Sequence, residues 1–64
     1  MNASQNIGKY LYRPDGTKVR IILVQTKKMN NSIVEYYILL DEDYRVTRIR
    51  TDPNYLKRKG YEIK

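Results

Sequence analysis

Three turn signals cut this chain into pieces too short for long helices and well suited to strands. "PDGT" (14–17) combines a proline that presets φ with Gly16, which supplies a positive φ. "MNNS" (29–32) offers asparagines that tolerate the left-handed conformation, and "DEDY" (41–44) makes a third, acidic turn. The segments between them alternate with a period of two rather than 3.6. In "TKVRIILVQTKK" (17–28), Val19, Ile21 and Leu23 fall on one face, with Ile22 and Val24 on the other. Such a strand is either buried on both sides midway or bent from one sheet into another. "SIVEYYILL" (32–40) sets Val34, Tyr36, Ile38 and Leu40 against Ile33, Glu35, Tyr37 and Leu39. In "RVTRIRT" (45–51) the spacing of Val46 and Ile49 is odd, which implies a bulge near Thr47 and Arg48 or a strand that uses both faces. "IGKYLYR" (7–13), with tyrosines around Leu11, supplies a first strand, and "YEIK" (61–64) a last one. Before it, Asp52 is a candidate N-cap, Pro53 a first helical residue and Gly60 a stop, so one helical turn is expected there. The reading is all-β: five short antiparallel strands in a single domain over 7–64, preceded by a flexible N-terminus at 1–6.

Sixty-four residues lie near the lower limit for unaided folding, since a chain of this size buries only about 60% of its unfolded surface. There is no cysteine, so neither a disulfide nor a thiolate site supplements the core. "MNASQNIG" has no cationic start and no apolar run, and no apolar stretch approaches a membrane span. A cytoplasmic location is the corresponding expectation.

Five strands, the first four joined by tight turns and the last two by a helical turn, resemble the SH3-like small β-barrels over most of 7–64. "PNYL" (53–56) is similar to the "PxNYV" segment of SH3 domains, whose Pro and Tyr help line a groove for proline-rich peptides. The chain has no tryptophan, no "ALYDY" segment and no acidic loop of the kind that family uses, so what the resemblance implies is a five-stranded barrel. Bacterial and phage proteins of SH3-like shape, such as KOW-type modules, bind RNA, DNA or protein. The alternative architecture is an open antiparallel meander that forms a homodimer through an edge strand.

Catalysis finds little to work with. General acid–base chemistry most often uses histidine, and the chain has none. Most carboxylates fall in turns. Glu35, in mid-strand, is expected to meet a basic neighbourhood. Ser4 and Ser32 have no base nearby in sequence. The acids at 41–43 lack the spaced ligands and glycine of a calcium loop and read as a solvated loop tip. The three glycines are far apart, so there is no phosphate cradle. A non-enzymatic protein without metal or cofactor is expected.

The charge is more informative. Of thirteen Lys and Arg residues, seven lie in 44–64 against only Asp52 and Glu62, so that segment carries +5 of the net +6. Asymmetry of this kind points to an anionic partner. Arg45, Arg48, Arg50, Lys57, Arg58 and Lys59 form the candidate electrostatic footprint, with Tyr55 and Tyr61 as candidate stacking residues. The plainer reading is that Lys and Arg blunt an edge strand and that Tyr10, Tyr12, Tyr36 and Tyr37 are core or cross-strand packing. Nucleic acid, RNA or DNA, ranks first as partner. The second is an acidic or amphipathic protein face, docked through an apolar centre of Leu39, Tyr55 and Leu56, as for a phage or mobile-element accessory protein. Membrane attachment is not expected, because no amphipathic helix is long enough.

Overall fold

The computed structural model describes residues 3–64. The fold is all-β, one five-stranded antiparallel sheet with a short helix. β1 (Tyr10–Tyr12), β2 (Lys18–Met29), β3 (Ser32–Leu40), β4 (Val46–Arg50) and β5 (Glu62–Ile63) lie in the order β4-β3-β2-β1-β5, with α1 (Pro53–Arg58) between β4 and β5 in sequence. Met1 and Asn2 lie outside the described residues. The rest of the N-terminus, expected to be flexible, is a docked 3-10 turn at Ala3–Asn6. Ala3 packs against the core and the Asn6 side-chain amide donates to the Tyr37 hydroxyl at 2.7 Å.

The turns form where the sequence places them. Gly16 takes φ 89° in the first, and its N–H donates to the Arg13 carbonyl. Asn30, at φ 54°, closes the β2–β3 hairpin. In the third, one Asp41 carboxylate oxygen accepts from the N–H groups of Asp43 and Arg45, both at 2.9 Å, while Tyr44 takes φ 60°. Asp41 is therefore occupied with holding its own turn.

The β2 alternation differs from expectation. Ile21 pairs with Leu39 and Leu23 with Ile38, so Ile22 is an extra, unpaired residue. A bulge of this kind inverts the phase of everything beyond it. Val19 and Ile21 face the core before it and Val24 after it, whereas Leu23 turns outward and is 57% exposed. β4, where a bulge was considered, pairs without a shift from Val46 to Arg50. Its odd spacing is met by using both faces: Ile49 packs toward the core and Val46 is 63% exposed.

The core is Leu11, Val19, Ile21, Tyr37, Leu39 and Leu56. Five of these come from one face of the sheet; Leu56 comes from α1, which lies across that face. The Asp52 carboxylate accepts from the Asn54 N–H, and Pro53 occupies the first turn. At the other end the N–H groups of Gly60 and Tyr61 donate to the carbonyls of Lys57 and Leu56 at 3.1 and 2.9 Å, the paired bonds of a Schellman motif. The barrel does not close. β5 is two residues long, both paired to β1, so β4 and β5 remain at opposite edges and Leu56 completes the core beside them.

Gly60 joins these pieces. It takes φ 82°, and a Cβ there would stand 3.0 Å from the Pro14 side chain. Gly60→Ala should therefore cost at least about 1 kcal/mol, from left-handed strain before any clash, read as a lower urea midpoint with unchanged slope. Asp15 gives a pH test. The Thr17 hydroxyl (2.7 Å) and then the Thr17 N–H (3.0 Å) donate to its carboxylate and hold its pKa below the usual value. A depressed folded pKa contributes stability above the unfolded pKa that is lost as pH falls through the folded one. Urea midpoints should accordingly fall on acidification below about pH 4 more in the parent than in Asp15→Asn. Parallel pH profiles would remove Asp15 from that loss.

Candidate functional site

The sheet has one covered face and one open face. α1 and the N-terminal 3-10 turn occupy the first, leaving the second to solvent. Strand register arranges the open face in three rows: Tyr10, Arg20, Leu40 and Val46; then Leu23, Ile38 and Arg48; then Gln25, Tyr36 and Arg50. Lys18 pairs with Tyr12 beside the first row.

Each tyrosine of this face has a cation over its ring. The Arg48 guanidinium carbon is 4.8 Å from the Tyr36 ring centre. Lys18 Nζ and the Arg20 guanidinium carbon stand 4.5 and 5.8 Å from that of Tyr10, and Lys64 Nζ 5.8 Å from that of Tyr12. Cations within about 6 Å of a ring are attracted by its quadrupole. Among the described residues the ion pair found is Lys64–Glu62, at 3.1 Å and exposed. Lys18, Arg20 and Arg48 thus stand over rings and form no ion pair among the described residues. A shallow hollow of about 240 Å³ at one end is lined by Tyr10, Lys18, Arg20 and Leu40, with Asp41, Glu42 and Tyr44 around it.

The eight residues singled out in the sequence fall on two sides of this sheet. Arg48 and Arg50 are on the open face, opposite Ile38 and Tyr36. Arg45 is in the β3–β4 turn, its N–H held by Asp41. Tyr55, Lys57, Arg58 and Lys59 belong to α1 and its C-cap on the covered side, with Lys59 Nζ 5.9 Å from the Tyr55 ring centre. Tyr61 follows the cap and lines a cleft together with Lys57. Lys18 and Arg20, left out of the footprint read from sequence, lie on the open face, as do Tyr10, Tyr12 and Tyr36, which were read as core or cross-strand packing and have cross-strand partners there. Tyr37 is core, whereas those three are half-buried on the open face. The signal was present in the shared phase of Tyr10, Lys18 and Arg20 across the "PDGT" hairpin. Leu39 and Leu56, considered as the centre of a docking face with Tyr55, are buried in the core, and Leu56 reaches the surface only at the wall of a cleft.

The cleft, about 520 Å³, opens on the covered side between the 3-10 turn and α1. Tyr37, Pro53, Leu56, Tyr61 and Ile63 give it apolar walls, Glu35 and Thr51 lie within it, and Lys9 and Lys57 come from its two sides. Glu35, expected in a basic neighbourhood, shares the cleft with Lys9 and Lys57, and its carboxylate accepts from the Thr51 hydroxyl at 2.8 Å. Among the described residues no three His, Cys, Asp or Glu side chains gather as a metal-binding group, and no helix is long and apolar enough to cross a membrane. No protein-family model, curated protein or solved structure matches the chain.

The bond between Asn6 and Tyr37 ties the N-terminal turn to the sheet beside the cleft. Tyr37→Phe should cost about 0.5–1.5 kcal/mol and speed amide exchange at Ile7 and Lys9, whose N–H groups bond within that turn. Unchanged exchange at both amides, measured by NMR, would show that the turn is held by other contacts.

Proposed function

We propose that this chain is a non-enzymatic binding module, of SH3-like strand order, that takes single-stranded nucleic acid across the open face of its sheet. The supporting observation is the pairing of Tyr36, Tyr10 and Tyr12 with Arg48, Lys18, Arg20 and Lys64 on one uncovered face of a chain carrying +6. A strand of RNA or DNA offers phosphates for the cations and base faces for the rings, and both contacts tolerate any sequence. Arg side chains over tyrosines also give bases a second planar group to stack on. Tyr36, Arg48 and Arg50 form the anchor of the site. At the Tyr10 end, Asp41 and Glu42 adjoin the hollow and repel a phosphate chain. Relative to the footprint read from sequence, Arg48 and Arg50 are retained, and the α1 cations act at a distance on the other side.

A protein partner is the second reading. Leu23 and Val46 are exposed on the open face, with half-buried Ile38 and Leu40 in the same rows. An apolar centre ringed by Arg and Tyr is what protein interfaces favour.

Fluorescence anisotropy of labelled oligonucleotides separates the two. With four phosphate contacts, affinity for a single strand should fall about fiftyfold between 50 and 200 mM salt. Arg48→Ala/Arg50→Ala should weaken binding about tenfold or more, while loss of an α1 cation, tested as Arg58→Ala, should change it far less. Equal affinity of the folded double variant and the parent would overturn this assignment. Absence of binding at 50 mM would favour the protein partner.

A further inference from the structure

The cleft on the covered side is separate from the open face, and its lining has a chemistry of its own. Its volume, about 520 Å³, lies within the usual range of roughly 300–1,000 Å³ for small-molecule sites. The walls are apolar and partly aromatic. The single carboxylate, Glu35, is half-buried and accepts from Thr51 through one oxygen. A carboxylate has about four acceptor positions, so capacity remains on both oxygens. Lys9 and Lys57, both exposed, reach the cleft from the 3-10 side and from α1.

A ligand matched to this lining is planar, carries adjacent N–H donors on one edge and bears an anionic group. Among nucleotides only guanine has two neighbouring donors, N1–H and the N2 amino group, on its Watson–Crick edge. Adenine and cytosine set a donor beside an acceptor there, and uracil sets its donor between two carbonyls. An ionised carboxylate accepts only, so it pairs both oxygens with guanine and meets a lone pair on the others. We propose that the cleft is a guanine-nucleotide site: Glu35 receives the N1–H and N2–H edge, Tyr61, Pro53 and Leu56 contact the base, and Lys9 and Lys57 hold the phosphate. The same chemistry serves a free nucleotide or a guanine within a strand, and it stands independently of the open-face reading.

The test is a titration of the 15N-labelled full chain with 5′-GMP, AMP, CMP and UMP, followed by NMR. GMP should shift the amides of Glu35, Tyr37, Thr51 and Tyr61 and bind about tenfold or more tighter than the other three, in keeping with one bidentate edge contact. Glu35→Gln keeps an acceptor for Thr51 but places a donor against the guanine edge. It should lose the GMP preference while AMP affinity stays the same. Lys57→Ala, at an exposed helix position, should keep the fold and weaken all four nucleotides alike. A trinucleotide UpGpU binding tighter than GMP would identify a strand as the source of the guanine, and the reverse order a free nucleotide. Equal affinities for the four nucleotides, shifts confined to the open face, or no saturation by about 10 mM GMP would each overturn the assignment.

Discussion

The structure depends on Leu56 reaching the sheet. Six residues form the core, and Leu56 is the only one of them that does not come from a strand. A helix of six residues has no stability of its own, since isolated helices shorter than about 12 residues are marginal in water. α1 exists because both ends are capped and because its one buried side chain closes over Leu11, Val19, Ile21, Tyr37 and Leu39. In return, burial of Leu56 removes from water a face that the strands cannot cover for themselves. The opposite face of the sheet is not covered by the described residues, and its composition suits that exposure: tyrosines and long cationic side chains shield the backbone while keeping polar ends in solvent.

The bulge at Ile22 decides which residues occupy that open face. Before it, Lys18 and Arg20 point outward in phase with Tyr10 and Tyr12. Without the extra residue, Leu23 would continue the phase of Val19 and Ile21 into the core face, and Val24 would be turned out. With it, Val24 joins the core opposite Tyr37, and Gln25 joins the open face beside Tyr36. β2 pairs with the short β1 along one edge over Lys18, Val19 and Arg20, and with the longer β3 along the other from Arg20 to Met29. Beyond Gln25 and Tyr36 the hairpin continues to Met29 and Ser32 with neither β1 nor β4 alongside. Past Glu35, which Thr51 still binds, that arm has only its own ladder to hold it, which places it at the weak end of the local stability range.

How much of this was legible in the sequence follows the range of the interactions involved. Gly16, Asn30, Asp52, Pro53 and Gly60 act through their own φ angles or through hydrogen bonds a few residues away, and the turns and helix they imply are present. The β3 alternation was legible for the same reason, because a regular strand needs no partner to define its faces. The bulge was not. Nothing local distinguishes Ile22 from its apolar neighbours, and only pairing with Leu39 and Ile38 leaves it out. The grouping of the C-terminal cations was also beyond reach, because Arg50 and Lys57 are close in sequence but separated by the passage of the chain from β4 onto the covered face. Their net charge was readable, whereas the face each occupies depends on where Leu56 comes to rest.

β3 carries the consequences of all of this, since adjacent residues along it serve opposite sides of the sheet. Tyr36 lies under Arg48 on the open face, while Glu35 and Tyr37 line the cleft. A slip of one residue would exchange the two sets, turning Tyr37 outward and burying Tyr36. Three contacts oppose it: burial of Leu39 against Ile21, the bond from Asn6 to the Tyr37 hydroxyl, and the bond from Thr51 to Glu35. Two of those three are polar and lie in the cleft itself. The hydrogen bonds that shape the cleft therefore also hold the register that sets Tyr36 beside Arg50 on the opposite face, and a substitution made to alter one surface acts on the other through the strand they share.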